Sequence, residues 1–218
     1  MQTLSEENYL KAIYNLDKQG LKKITPTAIA EALSNNPASV VDMIKKLAEK
    51  KLLQYEKTKG VKLSEKGKAI AILVVRKHRL WEVFLLEKLG YGWDEVHEIA
   101  EQLEHVHHNE LADRLDNFLG LPQYDPHGDP IPKANGETAV TYKTLLAEIT
   151  EGKSCKVVAV KDTSPAFLQY LKKLEIGIGT KITLVEKISF DNSIVIMIGK
   201  NVKTTVSKIF AENLLVQE

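Results

Sequence analysis

The 218-residue sequence is poor in sulfur, arginine and long apolar runs. Cys155 is its one cysteine, which excludes an internal disulfide and a zinc knuckle built on cysteine pairs. No apolar stretch approaches the roughly 18 residues a membrane-spanning helix needs. Met1 to Glu7 lack the basic and apolar regions of a secretory signal, so a cytoplasmic protein without membrane contact is expected. Nucleotide-binding glycine loops and the G-x-S-x-G nucleophile pattern are absent. His97-Glu98-Ile99-Ala100 opens like the H-E-x-x-H helix of zinc proteases, but the fifth residue is Glu101. That signature therefore fails, and no enzymatic constellation is expected.

What is present is a charge gradient. Residues 1–72 hold 13 Lys/Arg against 8 Asp/Glu, a net +5; residues 73–121 hold 5 against 10, a net −5. Residues 122–218 hold 12 against 11, a net +1. His78, His97, His105, His107 and His108 all lie in the acidic middle, and His127 follows it. A basic front suits a polyanion. An acidic, imidazole-rich middle suits a cation.

Periodicity divides the chain. Leu4, Tyr9, Leu10, Ile13, Tyr14 and Leu16 predict a helix over 5–18. Thr25-Pro26 and Asn36-Pro37 each place a capping residue before a proline, opening two further helices around the turn Ser34-Asn35-Asn36. The second of these, 37–51, carries an inward stripe of Val40, Ile44, Leu47 and Lys51 with Met43 beside it. Two short capped helices joined by a polar turn read as a helix-turn-helix. Runs at 52–56 and 61–63, joined by Lys57-Thr58-Lys59-Gly60, add a basic hairpin wing. Helices are predicted over 65–89 and 95–107, with another reaching about Leu119. Residues 121–139, with four prolines, form a linker or an irregular ordered segment. From Lys156 the period becomes two, with strands at 156–160, 181–185, 193–198 and 202–206 and a helix over 164–174, predicting a barrel of about five short strands. The fold class is mainly α with a small β domain.

The outer face of the third helix, Ala38, Ser39, Val41, Asp42, Lys45 and Lys46 behind the Asn36-Pro37 start, is small and polar at its N-terminal half. Such a face can approach base edges in a major groove, with Val41 placed for a thymine methyl. Lys45, Lys46, Lys57, Lys59 and Lys62 are expected on phosphates. No arginine precedes Arg76, so bidentate guanine readout is weak and shape contributes much of the recognition of double-stranded DNA.

His97, Glu101, Glu104 and His105 stand at i, i+4, i+7 and i+8, within roughly a 100° arc of a helix. Carboxylates sharing a face repel unless a positive charge lies between them. His78 and Glu82 repeat the i, i+4 spacing on the preceding helix. Oxygen and nitrogen donors without a thiolate fit Mn²⁺ or Fe²⁺, and Zn²⁺ less specifically. A winged-helix regulator sensing an organic ligand, and a metal-buffering or transport-accessory protein, are the alternative readings.

The chain resembles the DtxR/MntR family of metal-dependent transcriptional repressors. The resemblance rests on Asn8-Tyr9-Leu10-Lys11-Ala12-Ile13-Tyr14, Ile29-Ala30-Glu31-Ala32-Leu33, Arg76-Lys77-His78-Arg79-Leu80-Trp81-Glu82, Val96-His97, Glu101, Glu104-His105-Val106 and Pro126-His127-Gly128-Asp129-Pro130-Ile131-Pro132. It implies a winged-helix DNA-binding domain at 1–72. A helical dimerisation and metal domain would follow at 73–140, and a FeoA-type, SH3-like barrel at 141–218. It also implies a homodimer that binds operator DNA when loaded with divalent metal. A primary metal site would use Asn8, Glu101, Glu104 and His105. A second would use His78, Glu82 and His97, with Asp125, His127 and Asp162 as further candidates. Glu101 stands where the iron-responsive branch has cysteine, as in the manganese-responsive branch. Asn8 replaces that branch's usual aspartate, and Lys11 stands where some members place a glutamate, which argues against their two-ion cluster. His107 and His108 match no family ligand. On this reading the unliganded site repels itself, and metal restricts the freedom of the DNA reader.

Overall fold

The computed structural model describes residues 2–108, 110–140, 142–199 and 202–218. Helices α1 (Leu4–Lys18), α2 (Pro26–Leu33) and α3 (Pro37–Glu49) come first. The hairpin β1 (Leu53–Glu56) and β2 (Gly60–Leu63) follows, then the long helix α4 (Glu65–Leu89) and the short α5 (Val96–Leu103) and α6 (Leu111–Phe118). The C-terminal part holds β3 (Thr144–Leu145), β4 (Ser154–Val160), α7 (Pro165–Lys173), β5 (Lys181–Lys187), β6 (Ile194–Ile198), β7 (Val202–Val206), α8 (Lys208–Glu212) and β8 (Leu214–Gln217). No helix among the described residues is long and apolar enough to cross a membrane.

The chain divides into two compact units. The first combines residues 1–78, 101–118 and 132–138. Its local start signals are those read from the sequence. Thr3 and Glu6 form a reciprocal capping box on α1, and Thr25 and Asn36 cap α2 and α3, each with proline at the start of the helix. The α3 stripe is Val40, Ile44 and Leu47, all buried in one cluster with Leu10, Ile13, Ile29 and Leu52. Burying each such side chain contributes about 1.5–3 kcal/mol. Lys51 does not extend the stripe: α3 ends at Glu49, and Lys51 is exposed with φ at 58°. The wing is tied down where Val61 N donates to Ile24 O (2.9 Å). Arg76 on α4 holds α6 through Asp113 and Asp116 at 2.5 and 2.7 Å.

The second unit combines residues 79–100, 119–131 and 139–218. Its antiparallel sheet has six strands in the order β3-β8-β4-β5-β6-β7, one more than the predicted barrel. The order is open: among the described residues β3 and β7 each pair with one neighbour. Leu146, Ile149, Leu168, Leu171, Ile182 and Leu184 fill the core beneath the sheet, with Trp93 packed against it. Cys155 belongs to this core, its Sγ 3.5 Å from Ile182 O. Burial, with the Glu218 carboxylate adding to it, pushes the Cys155 thiol up to about 11. A buried, protonated thiol is a poor nucleophile. Native protein is therefore expected to leave Ellman's reagent unreacted at pH 8, with one thiol per chain appearing only in denaturant. Rapid reaction without denaturant would contradict this placement.

Candidate metal centres and DNA-reading face

In the first unit, α1 lies beside the segment that leaves α5. The predicted single helical face ends early: α5 stops at Leu103, so Glu104 and His105 sit in the following turn, where Val106 N bonds to Leu103 O at 3.2 Å. The turn still brings the donors together. Glu104 is fully buried, and its Oε2 lies 2.5 Å from His78 Nδ1. Glu104 Oε1 is 3.5 Å from His105 Nε2. Glu7, which sequence reasoning missed, accepts from His105 Nδ1 at 2.6 Å. With Nδ1 turned to Glu7, Nε2 is the ring nitrogen that a neutral imidazole would offer to an ion. A readable signal existed: Glu7, Asn8 and Lys11 stand at i, i+1 and i+4 of one helix, flanking a candidate ligand.

Lys11 changes the electrostatics. Its Nζ lies 2.5 Å from Glu101 Oε1, 2.7 Å from Glu104 Oε2 and 3.3 Å from His78 Nδ1. The expected self-repulsion of the unliganded site is thus absent, because the chain supplies its own cation between the two carboxylates. Asn8, Lys11 and Glu101 also line a cleft of about 770 Å³, giving the centre a route to solvent.

The fit to a cation is read from what stays unpaired. Asn8 Oδ1, Glu104 Oε1 and His105 Nε2 are buried side-chain atoms with no hydrogen-bond partner. Burying an unpaired polar atom costs about 1–3 kcal/mol, and three predicted ligand residues carry that cost. All three atoms are lone-pair donors. Oxygen and imidazole lone pairs of this kind are the donor types that divalent cations accept.

The second unit holds another cluster. Glu82, Asp125 and His127 are all buried, and each offers a ligand atom within 4.8 Å of the others. Glu82 Oε1 lies 3.1 Å from His97 Nδ1 and 3.6 Å from His127 Nδ1. His127 Nε2 donates to Trp93 O at 2.9 Å, turning Nδ1 toward the carboxylates. Asp125 Oδ1 accepts from the amides of His127 and Asp129, both at 2.9 Å, and Arg79 Nε is 3.4 Å from its Oδ2. Burial and the neighbouring Glu82 carboxylate push Asp125 up to about 7. Burial opposes the charged form of His127, but Glu82 prevails and lifts it to about 9. Asp162 is not part of this cluster; its Oδ1 accepts from Ser164 N at 2.8 Å. The turn itself depends on Gly128, whose φ is +84° and whose added Cβ would meet Val158 O at 2.0 Å. Val158 lies in the register shift of β4 between Val157 and Ala159, so the sheet irregularity receives the turn that carries Asp125 and His127.

On the reader, Asn36, Pro37, Ala38, Ser39, Asp42 and Lys45 are exposed and Val41 is half-buried. Lys57, Lys59 and Lys62 are exposed on the wing. Lys45 pairs with Asp42 at 3.3 Å and Lys59 with Glu56 at 2.8 Å, both in solvent, pairs weak enough to yield to phosphate. Lys46 differs: its Nζ is 2.9 Å from the buried Glu6 carboxylate. Burial would raise Glu6, but the ammonium groups of Lys50 and Lys46 overcome it and bring the carboxyl down to about 2.

Comparison with known proteins covers the same segments. Residues 1–61 match the family model of the iron dependent repressor N-terminal DNA binding domain. Residues 64–133 match that of the iron dependent repressor metal binding and dimerisation domain, and residues 144–218 match the FeoA domain. The iron-dependent repressor IdeR of Mycobacterium leprae is 35% identical over 158 residues, 71% of this chain and 68% of that protein. The HTH-type transcriptional regulator MntR of Oceanobacillus iheyensis is 41% identical over 120 residues, 55% of this chain and 80% of that one. A solved manganese-dependent transcriptional repressor in complex with manganese superposes with a TM-score of 0.87 at 32% identity, covering 97% of this chain and 98% of its own. ScaR with bound Zn²⁺ superposes at 0.79 with 31% identity, covering 98% and 99%.

Proposed function

The chain belongs to the iron-dependent repressor family of metal-dependent transcriptional regulators, and we propose that it acts as a cytoplasmic homodimer that represses from operator DNA when loaded with Mn²⁺. The supporting observation is the trio of buried, unpaired donor atoms on Asn8, Glu104 and His105. With Glu101 these residues would hold the ion in a primary centre. Glu82, Asp125 and His127, with His97 beside Glu82, would form a second. The amide, carboxylate and imidazole donors fit Mn²⁺ or Fe²⁺ ahead of Zn²⁺, and Glu101, standing where the iron-responsive branch has cysteine, favours Mn²⁺ between the two. Cys155, the one thiolate source, is buried in the core of the second unit.

A bound divalent ion supplies the charge that lets these donors converge. Everything else is done by the chain. Asn8 lies on α1, whose apolar face shares a core with α3, whereas Glu101, Glu104 and His105 leave from α5. Tying these segments together limits the orientations of α1 and of the reader packed on it. DNA binding then costs less ordering, and operator DNA tightens metal affinity by the same factor, typically about 5–150-fold. Lys45, Lys57, Lys59 and Lys62 would contact phosphates, and the Asn36 to Asp42 face would enter the major groove. Two readers on a two-fold dimer would address the halves of an inverted repeat.

The test is selection from a random duplex pool by the Mn²⁺-loaded protein, then anisotropy titration of the selected duplex in Mn²⁺ and in chelator. Binding is expected to be at least ~5-fold tighter with Mn²⁺. Equal affinity in the two conditions would refute the reading.

A further inference from the structure

Glu6 is the most deeply buried charge on α1, and its partners lie on the recognition helix. Lys50 Nζ is 2.7 and 2.9 Å from its two carboxylate oxygens, and Lys46 Nζ is 2.9 Å from Oε1. Lys46 lies in the last turn of α3 and Lys50 is its C-cap. The next residue, Glu7, holds His105, and the one after it, Asn8, carries an unpaired buried oxygen. Three consecutive residues of one helix thus serve two clients. One grips the C-terminal turn of the reader, and two belong to the cation centre.

The apolar core that α1 and α3 share tolerates sliding, because hydrophobic burial is non-directional. A fully buried carboxylate held by two ammonium groups does not, since moving away from both would leave buried charge uncompensated. Displacement of α1 along its axis is therefore delivered to the end of α3 through Glu6. The same bond holds the ammonium of Lys46, one of the groups expected on DNA.

We propose that Glu6 is the positioning residue that transmits the state of the cation centre to the recognition helix, through Lys50 and Lys46. This rests on the metal-dependent repressor reading. Isothermal titration with Mn²⁺ gives the metal affinity of the DNA-free protein, and anisotropy on the selected duplex gives the ratio of DNA affinities with and without Mn²⁺. Glu6→Gln is expected to keep the DNA-free Mn²⁺ affinity within about threefold of wild type while bringing that ratio close to one, a loss of most of the coupling between the sites. Lys50→Met, which leaves α1 intact, is expected to do the same from the other end, and carries the test alone if Glu6→Gln does not fold. An unchanged ratio overturns the proposal. So does a parallel collapse of the DNA-free Mn²⁺ affinity, which would place Glu6 within the cation centre itself. If the wild-type ratio is already unity, the repressor reading fails before any variant is compared.

Discussion

Glu104→Ala is expected to abolish Mn²⁺-stimulated DNA binding. Glu104 is fully buried and meets Lys11, His78 and His105 at the proposed primary centre. Its Oε2 accepts from Lys11 at 2.7 Å and lies 2.5 Å from His78, while Oε1 is buried, unpaired and 3.5 Å from His105 Nε2. Removing the carboxylate deletes one proposed ligand and leaves Lys11 with Glu101 and, at 3.3 Å, His78 Nδ1. Mn²⁺ affinity should fall by at least ~100-fold, and the ratio of DNA affinities with and without Mn²⁺ should approach one, a loss of the full coupling expected between such sites. Weak binding should remain, with the steep salt dependence of lysine–phosphate contacts, because Lys45, Lys57, Lys59 and Lys62 are untouched. Glu104→Gln keeps the shape and separates loss of charge from loss of packing; it should lose Mn²⁺ binding while melting closer to wild type than the alanine variant. Full Mn²⁺ stimulation in either variant would remove this centre from the mechanism.

The parts of this architecture that were legible are those governed by local chemistry. Thr25-Pro26 and Asn36-Pro37 start helices for reasons contained in two residues, and Val40, Ile44 and Leu47 declare the buried side of α3 by spacing alone. Lys51 breaks that pattern because the chain has already turned into the left-handed region there. Gln102-Leu103-Glu104-His105 contains no glycine or proline, so nothing local announces that α5 ends at Leu103. The strands Thr144–Leu145 and Leu214–Gln217 escaped because one is only two residues long and the other follows α8 at once; both take their identity from distant partners. The proposed centre was legible only as a set of candidate donor types. Its charge balance was not, because Lys11 meets Glu101 and Glu104 across 90 and 93 residues of chain. Asp162, a candidate donor by family pattern, lies outside the Glu82, Asp125 and His127 group, and its Oδ1 accepts from Ser164 N.

Lys11→Met should have the opposite signature to Glu104→Ala: a weaker fold without metal and a tighter grip on Mn²⁺. In the structure Lys11 Nζ neutralises Glu101 and the fully buried Glu104, so any arriving cation competes with an ammonium already in place. Methionine keeps most of the length and removes the charge. Breaking a buried pair by deleting one partner costs about 3–5 kcal/mol. At about 2–4 °C per kcal/mol for a chain of this size, the metal-free protein should melt roughly 6–20 °C lower. Mn²⁺ supplies the missing positive charge, so the deficit should shrink sharply in the loaded protein. Linkage between binding and stability then requires that the metal-free state lose more than the bound state, which tightens the apparent Mn²⁺ affinity. An increase of about tenfold, some 1.4 kcal/mol, is expected by isothermal titration, with scanning calorimetry in chelator and in Mn²⁺ as the companion measurement. A variant that melts like wild type without metal and binds Mn²⁺ more weakly would show that Lys11 assists the ion rather than standing in its place.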